Sequence, residues 1–191
     1  MSTAPDNLYT QGNTALLQLP QTALFCSRDY PPGIEQLTFM WAMEQRYRSN
    51  CVLSGFHSRL EQTVFRYLLR GPQQPIVYAL GRGIQPNLRL EYGPEILAGR
   101  LLFVSSFAPE VRSITQETAD SRNLLIVDMA SQFFVPYMAP GGNIEKLLAS
   151  PAAHSKPVYT LDLPENQALL AAGALPFRPG GVFGRHTSRP T

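Results

Sequence analysis

A chain of 191 residues, 44% hydrophobic and only 16% charged, is long enough to fold around one full core, and no apolar run in it is long enough to cross a bilayer. The formal charge of +2 is too small to argue by itself for a polyanion partner. Its make-up is more telling: 14 of the 16 basic residues are arginine, whose planar guanidinium fits phosphate and stacks on bases.

Residues 1–20 mix Ser, Thr, Asn, Gln, Pro and Gly around one short apolar patch and read as a flexible extension. The compact pattern starts at "TALFCSR" (22–28), a buried strand that turns at "DYPPG". "IEQLTFMWAMEQRYR" (34–48) places Ile34, Leu37, Trp41 and their neighbours near helical spacing. "CVLSG" (51–55) is a second strand, and "LEQTVFRYLLRG" (60–71) a helix stopped by Gly71-Pro72. "PIVYALG" (75–81) is a third strand, "GPEILAG" (93–99) a short helix and "RLLFVSS" (100–106) a fourth strand. "ITQETADSRN" (114–123) then reads as a helix leading into a strand "LLIVDMAS" (124–131). "NIEKLLAS" (143–150) is a helix with Asn143 as N-cap, "KPVYTLD" (156–162) the last strand and "PENQALLAAGA" (164–174) the last helix. Residues 178–191 form a basic tail without an acid, expected to be flexible.

Most of these strands are continuously apolar, which is the pattern of strands covered on both faces. The expected fold is α/β: a single open, doubly wound, mostly parallel sheet with helices on both faces, in one domain over residues 21–177. Cys26 and Cys51 sit at the edges of apolar runs without CxxC spacing, so both are expected as reduced core residues of a cytoplasmic protein. "SQFFVPYMAP" (131–140) holds five large apolar residues where a loop should be polar; such a segment is either tucked under the sheet or pressed against a second copy of the chain, and the second copy is the expectation.

In a sheet of this kind ligands bind beyond the carboxyl ends of the strands. Those ends carry Ser27-Arg28, Ser54-Gly55, Gly81-Arg82-Gly83 and Ser105-Ser106, and "APGGN" brings Gly141, Gly142 and Asn143. Glycines let a ligand approach the backbone, while Ser and Arg supply donors. A phosphate-bearing ligand fits the collection, with Arg59 the strongest single contact because it stands just before a helix. No catalytic constellation accompanies it. His57, His154 and His186 are too scattered for a metal site, and there is no GxSxG, GxxxxGK[ST] or GxGxxG. No cofactor and no metal is called for.

The order of these motifs resembles the DNA-processing protein A (Smf) family. "LFCSR" (24–28) is similar to its "IVGSR" strand, "SGFHSRLE" (54–61) to its "SGxARGID" loop and "IVYALGRGI" (76–84) to its "TIAVLGxGxD" strand. "LLFVSSFAP" (101–109) resembles "xLLSExP", "SRNLLIVDMAS" (121–131) its "vlVVEA" strand and "ENQALLAAGA" (165–174) its "NxLIxxGA" ending. Arg112 remains from the family's "FPxRNRxIAGLS" run. The resemblance implies a Rossmann-type domain of a cytoplasmic homodimer that binds single-stranded DNA and works with a recombinase. "PGGNIE" (140–145) also resembles the "PGGxGTxxE" of the lonely-guy nucleotide phosphoribohydrolases, in the same broad fold. That likeness implies the alternatives of a nucleotide sensor or an N-glycosidic hydrolase with Glu145 as its one catalytic candidate; a dimeric scaffold without ligand is the third reading.

Overall fold

Four apolar runs, Gln21–Leu24 (β2), Cys51–Ser54 (β3), Ile76–Ala79 (β4) and Leu101–Ser105 (β5), lie side by side and parallel in the computed structural model, which describes residues 8–178. The chain then returns to the other edge of β2 and adds Gln132–Val135 (β6), Val158–Leu161 (β7) and Leu175–Phe177 (β8), again parallel. Tyr9–Gly12 (β1) pairs antiparallel with β5, so the eight strands run β1-β5-β4-β3-β2-β6-β7-β8. The direction of winding reverses between β2 and β6. That is the switch point of a doubly wound fold, where two loops leave the sheet in opposite directions and open a crevice.

Side chains alternate across the sheet and build two cores. Ala23, Leu53, Val77, Leu102 and Phe133 point to one face, covered by Gln116–Met129 (α5), Asn143–Leu148 (α6) and Gln167–Ala171 (α7). Leu24, Val52, Ile76, Phe103 and Phe134 point to the other, under Ile34–Arg48 (α1), Arg59–Leu69 (α2) and the short helices Asn87–Glu91 (α3) and Gly93–Leu97 (α4). Trp41 of α1 stacks on Phe134 of β6 with ring centroids 4.3 Å apart, fixing α1 across the switch point. Both cysteines are free and buried, one core each, and burial pushes each thiol up to about 12.

Three sequence expectations change. The apolar run 124–131 is not a strand. A capping box between Thr115 and Thr118 starts α5, no glycine or proline interrupts it, and it runs through to Met129 with Leu125, Ile126 and Val127 buried. The strand is the next segment, in which Phe133, Phe134 and Val135 are fully buried and Tyr137 and Met138 half-buried. The apolar surplus of 131–140 is therefore core, and the argument for a second copy built on it fails. Residues 8–20, read as a flexible extension, contribute β1 and a 3-10 turn at Thr14–Gln18 whose Leu16 enters the core. The basic tail lies, from residue 179, outside the described residues.

Candidate phosphate site at the switch point

Beyond the carboxyl ends of β2 and β6 lies a crevice of about 300 Å³. Its walls come from the loop after β2 (Cys26, Ser27, Arg28, Asp29), the start of α2 (His57, Glu61), α5 (Gln116, Arg122, Asn123) and the start of α6 (Ala139, Asn143).

The floor is set by a capping box. Ser58 ends the turn after β3, and its hydroxyl accepts the Glu61 N–H at 3.2 Å. The Glu61 carboxylate returns to the turn and accepts the N–H groups of His57 (2.9 Å) and Ser58 (3.2 Å), and also that of Cys26 from the neighbouring strand end (3.0 Å). His57 Nδ1 stands 3.1 Å from the same carboxylate. Burial alone would raise the Glu61 carboxyl; the His57 contact and the backbone N–H groups outweigh it and hold the group below its ordinary value. Glu61 is thus an ionised, fully engaged buttress that joins the ends of β2 and β3.

Arg122 is the cation of the site. It is only 3% exposed, and its Nε and Nη2 both donate to Asn123 Oδ1, at 3.2 and 2.9 Å. Nη2 also lies 3.4 Å from His57 Nδ1. The guanidinium rests flat on the backbone of the β3 turn: a Cβ at Gly55 would stand 2.7 Å from Nε and 2.9 Å from Cζ. Among the described residues no carboxylate forms an ion pair with Arg122. Burial lowers its proton affinity, Glu61, Tyr78 and Asp120 oppose that, and Arg28 adds to it. A guanidinium keeps its proton regardless, so the crevice holds a buried positive charge whose contacts among the described residues are a neutral amide and the His57 ring, with no ion-paired carboxylate.

The expected site residues divide around this centre. Ser27, Arg28 and Asn143 line the crevice. Ser27 is engaged there, its N–H donating to Tyr137 O and its hydroxyl accepting the Ala139 N–H at 2.8 Å. Gly55 lies beneath Arg122 and gives the ligand no approach of its own. The buried Ser54 hydroxyl donates to Leu24 O and accepts the Phe56 N–H, bracing the turn. Gly81, Arg82 and Gly83 follow β4, two strands from β2, and Ser105 ends β5, three strands away. Ser105 donates to Arg82 O at 2.7 Å, and the Gly83 N–H to Val111 O at 2.8 Å. A Cβ at Gly83 would fall 2.1 Å from Ala108 O, so that glycine serves packing of one loop on another. Arg82 lies outside the crevice lining; burial pushes the Tyr78 phenol up, while Arg122 and Arg82 both pull it down. Arg59 and Arg112 are exposed outside the crevice lining. Gly141 has φ +69, Gly142 and not Asn143 is the N-cap of α6, and Asn143 makes no cap. Glu145 accepts the Gly141 N–H at 2.5 Å and lines a separate groove under α7.

Sequence reasoning passed over Arg122 and Glu61. The signal for Glu61 was present in Ser58-x-x-Glu61, a capping-box spacing. The signal for Arg122 is a lone charge at the head of an apolar run, and it becomes a buried cation because that run is the core-facing part of α5.

No family model and no curated protein sequence matches the chain. Solved structures do. DNA processing protein A from Helicobacter pylori, described for its single-stranded DNA binding mode, superposes with a TM-score of 0.72 at 20% identity, over 92% of this chain and 84% of that one. DNA processing protein A from Streptococcus pneumoniae gives 0.71 at 16% identity, over 93% of this chain and 65% of its own. A molybdenum cofactor binding protein from Rippkaea orientalis reaches 0.50 at 14% identity, over 81% and 83%. Across nearly its whole described length, this chain has the Rossmann-type fold of the DNA processing protein A structures.

Proposed function

We propose that the chain binds single-stranded DNA, seating one backbone phosphate in the switch-point crevice and tracking its neighbours along Arg28, Arg59, Arg82 and Arg112. The observation that carries this reading is Arg122, a buried guanidinium without a carboxylate partner among the described residues, at the place where this fold binds ligands. Such a charge is stable when an anion completes its surroundings. The four other arginines likewise form no ion pair among the described residues, as suits a surface waiting for phosphates. The fold it shares with the Helicobacter protein supports DNA as the ligand. In this reading Ser27, Asn143 and the Gly141-Gly142 turn border the phosphate, while Ser54, Gly55, Gly81, Gly83 and Ser105 shape the strand ends that present the cations. Homodimer formation, a recombinase partner and a cytoplasmic location belong to the same reading and rest on the family resemblance; no helix among the described residues is long and apolar enough to cross a membrane.

The size of the crevice favours a second reading, a mononucleotide-bearing ligand, because about 300 Å³ is the scale of a small-molecule site. Titrating labelled oligothymidylate and a panel of mononucleotides at two salt concentrations separates the two. DNA binding through several phosphates falls steeply with salt, and a single nucleotide far less so. Arg28→Ala, an exposed change, is expected to weaken DNA binding about tenfold. Tight nucleotide binding without DNA binding replaces the first reading by the second, and binding of neither removes both.

A further inference from the structure

The Arg122 guanidinium meets no acid on its own helix. α5 carries Glu117, Asp120 and Asp128, and none of them stands three or four positions from Arg122, the spacing at which side chains meet along a helix. Asp120 is instead held by Gln116, whose amide donates to its carboxylate at 2.8 Å. On the facing turn Glu61 is also occupied: one oxygen accepts the Cys26 N–H and the other those of His57 and Ser58. Glu61 and Asp120 thus act on Arg122 through space, without an ion pair. The place of an acid is taken by Asn123. An arginine only donates, so the amide must turn Oδ1 to it. That one oxygen accepts from both Nε and Nη2, as a carboxylate oxygen would. Asn123 is half-buried and lines the crevice, and its Nδ2 has no partner among the described residues.

We infer, resting on the phosphate site above, that Asn123 sets the anion affinity of the crevice, because its amide orients the Arg122 guanidinium without neutralising it. A carboxylate of the same shape would hold the same two N–H groups. It would also cancel the charge, and it would replace the free Nδ2 donor in the crevice lining by an oxygen that only accepts and repels a phosphate. The amide does neither. A buried cation held by a neutral partner forgoes the stability that an ion pair would give it, and keeps its charge for a ligand. Stability and binding therefore pull in opposite directions at position 123, which an asparagine with a purely structural role would not show.

The test compares full-length wild type, Asn123→Asp and Asn123→Ala, titrating a labelled oligothymidylate at one pH and several salt concentrations, beside thermal unfolding without DNA. Asn123→Asp is expected to melt higher than wild type and to bind about ten- to a hundredfold more weakly. Its slope of log affinity against log salt should be smaller by about one, since one cation has been withdrawn. Asn123→Ala releases the guanidinium without neutralising it; it should melt lower, bind more weakly and keep the wild-type slope. If Asn123→Asp melts no higher than wild type, the carboxylate does not engage Arg122 and the role given to Asn123 is wrong, while the phosphate site stands on the binding of wild type. If it melts higher yet binds as tightly as wild type, the neutralised cation is not what the DNA meets, and the phosphate site falls together with the inference. Wild type that binds no oligothymidylate at any salt concentration overturns both.

Discussion

Gly55 does not serve backbone flexibility here. Its missing Cβ is the space in which the Arg122 guanidinium lies, 2.7 Å from where that atom would be. Gly55→Ala must push a buried cation into the crevice or off the turn. It is expected to weaken DNA binding by about tenfold or more while costing roughly 1–3 kcal/mol of stability, within the usual cost of overpacking. Fluorescence anisotropy and urea unfolding check the two parts separately. Glu61 makes a pH prediction. Its carboxyl is held below the ordinary range in the folded chain and returns to about 4.5 in the unfolded one. The unfolded form then binds protons first as the pH falls, so the stability from Glu61 is complete above that value and drains away on acidification through the folded one. Glu61→Gln should lower stability at neutral pH by about 1–3 kcal/mol, because a neutral amide serves the three N–H groups poorly, and should flatten the acid limb of a stability–pH curve. An acid limb as steep as that of wild type would show the carboxylate to be unimportant. These residues were only half legible in the sequence. The motif "SGFHSR" reads as the mouth of a ligand site, but which of its side chains face the crevice depends on Arg122, which lies 63 to 68 positions away and is brought in by the fold.

At the scale of elements, the parallel strands β2 to β5 and the helices between them follow the apolar runs closely, because each run is short, bounded by Gly or Pro, and buried on both faces. The misreading of 124–135 has a definite cause. Two apolar stretches, "LLIV" and "FFV", are separated by five residues, and periodicity alone does not say which is strand. What decides is the cap at Thr115, which commits everything up to the next break to helix. β1 was hidden for a different reason: as an edge strand its burial alternates, and half its residues face solvent. It nevertheless covers Leu101–Ser105, whose residues are all buried. Gly12 makes the close approach with φ +126, and a Cβ there would meet Leu101 O at 2.3 Å. Gly12→Val should therefore detach β1 and bare the edge of β5, lowering the melting temperature and producing light scattering on heating, since an exposed apolar edge recruits other strands. An unchanged melt would mean that β1 adds nothing to the sheet.

For the molecule as a whole, a charge of +2 spread evenly would attract DNA weakly, so the proposed DNA binding must rest on where the arginines are placed. Arg59, once the strongest single expectation, stands exposed at the first turn of α2 and outside the crevice lining. Its removal is expected to act on range and not on the seated phosphate: Arg59→Ala should lower the slope of log affinity against log salt by about one and weaken all sequences alike. A slope equal to that of wild type would place Arg59 off the DNA path. The antiparallel strand at the other edge has a consequence in time. β1 is synthesised before the seven other strands described, yet its strand partner among the described residues, β5, follows three parallel strands and their helices. Closing so long a loop is entropically slow, and the pairing gains nothing until β4 is in place beneath β5. A segment made before the rest of the sheet is thus seated only after half of that sheet exists. Until then β1 must wait unpaired, and the growing sheet keeps an open flank at β5 that this already-made segment later closes.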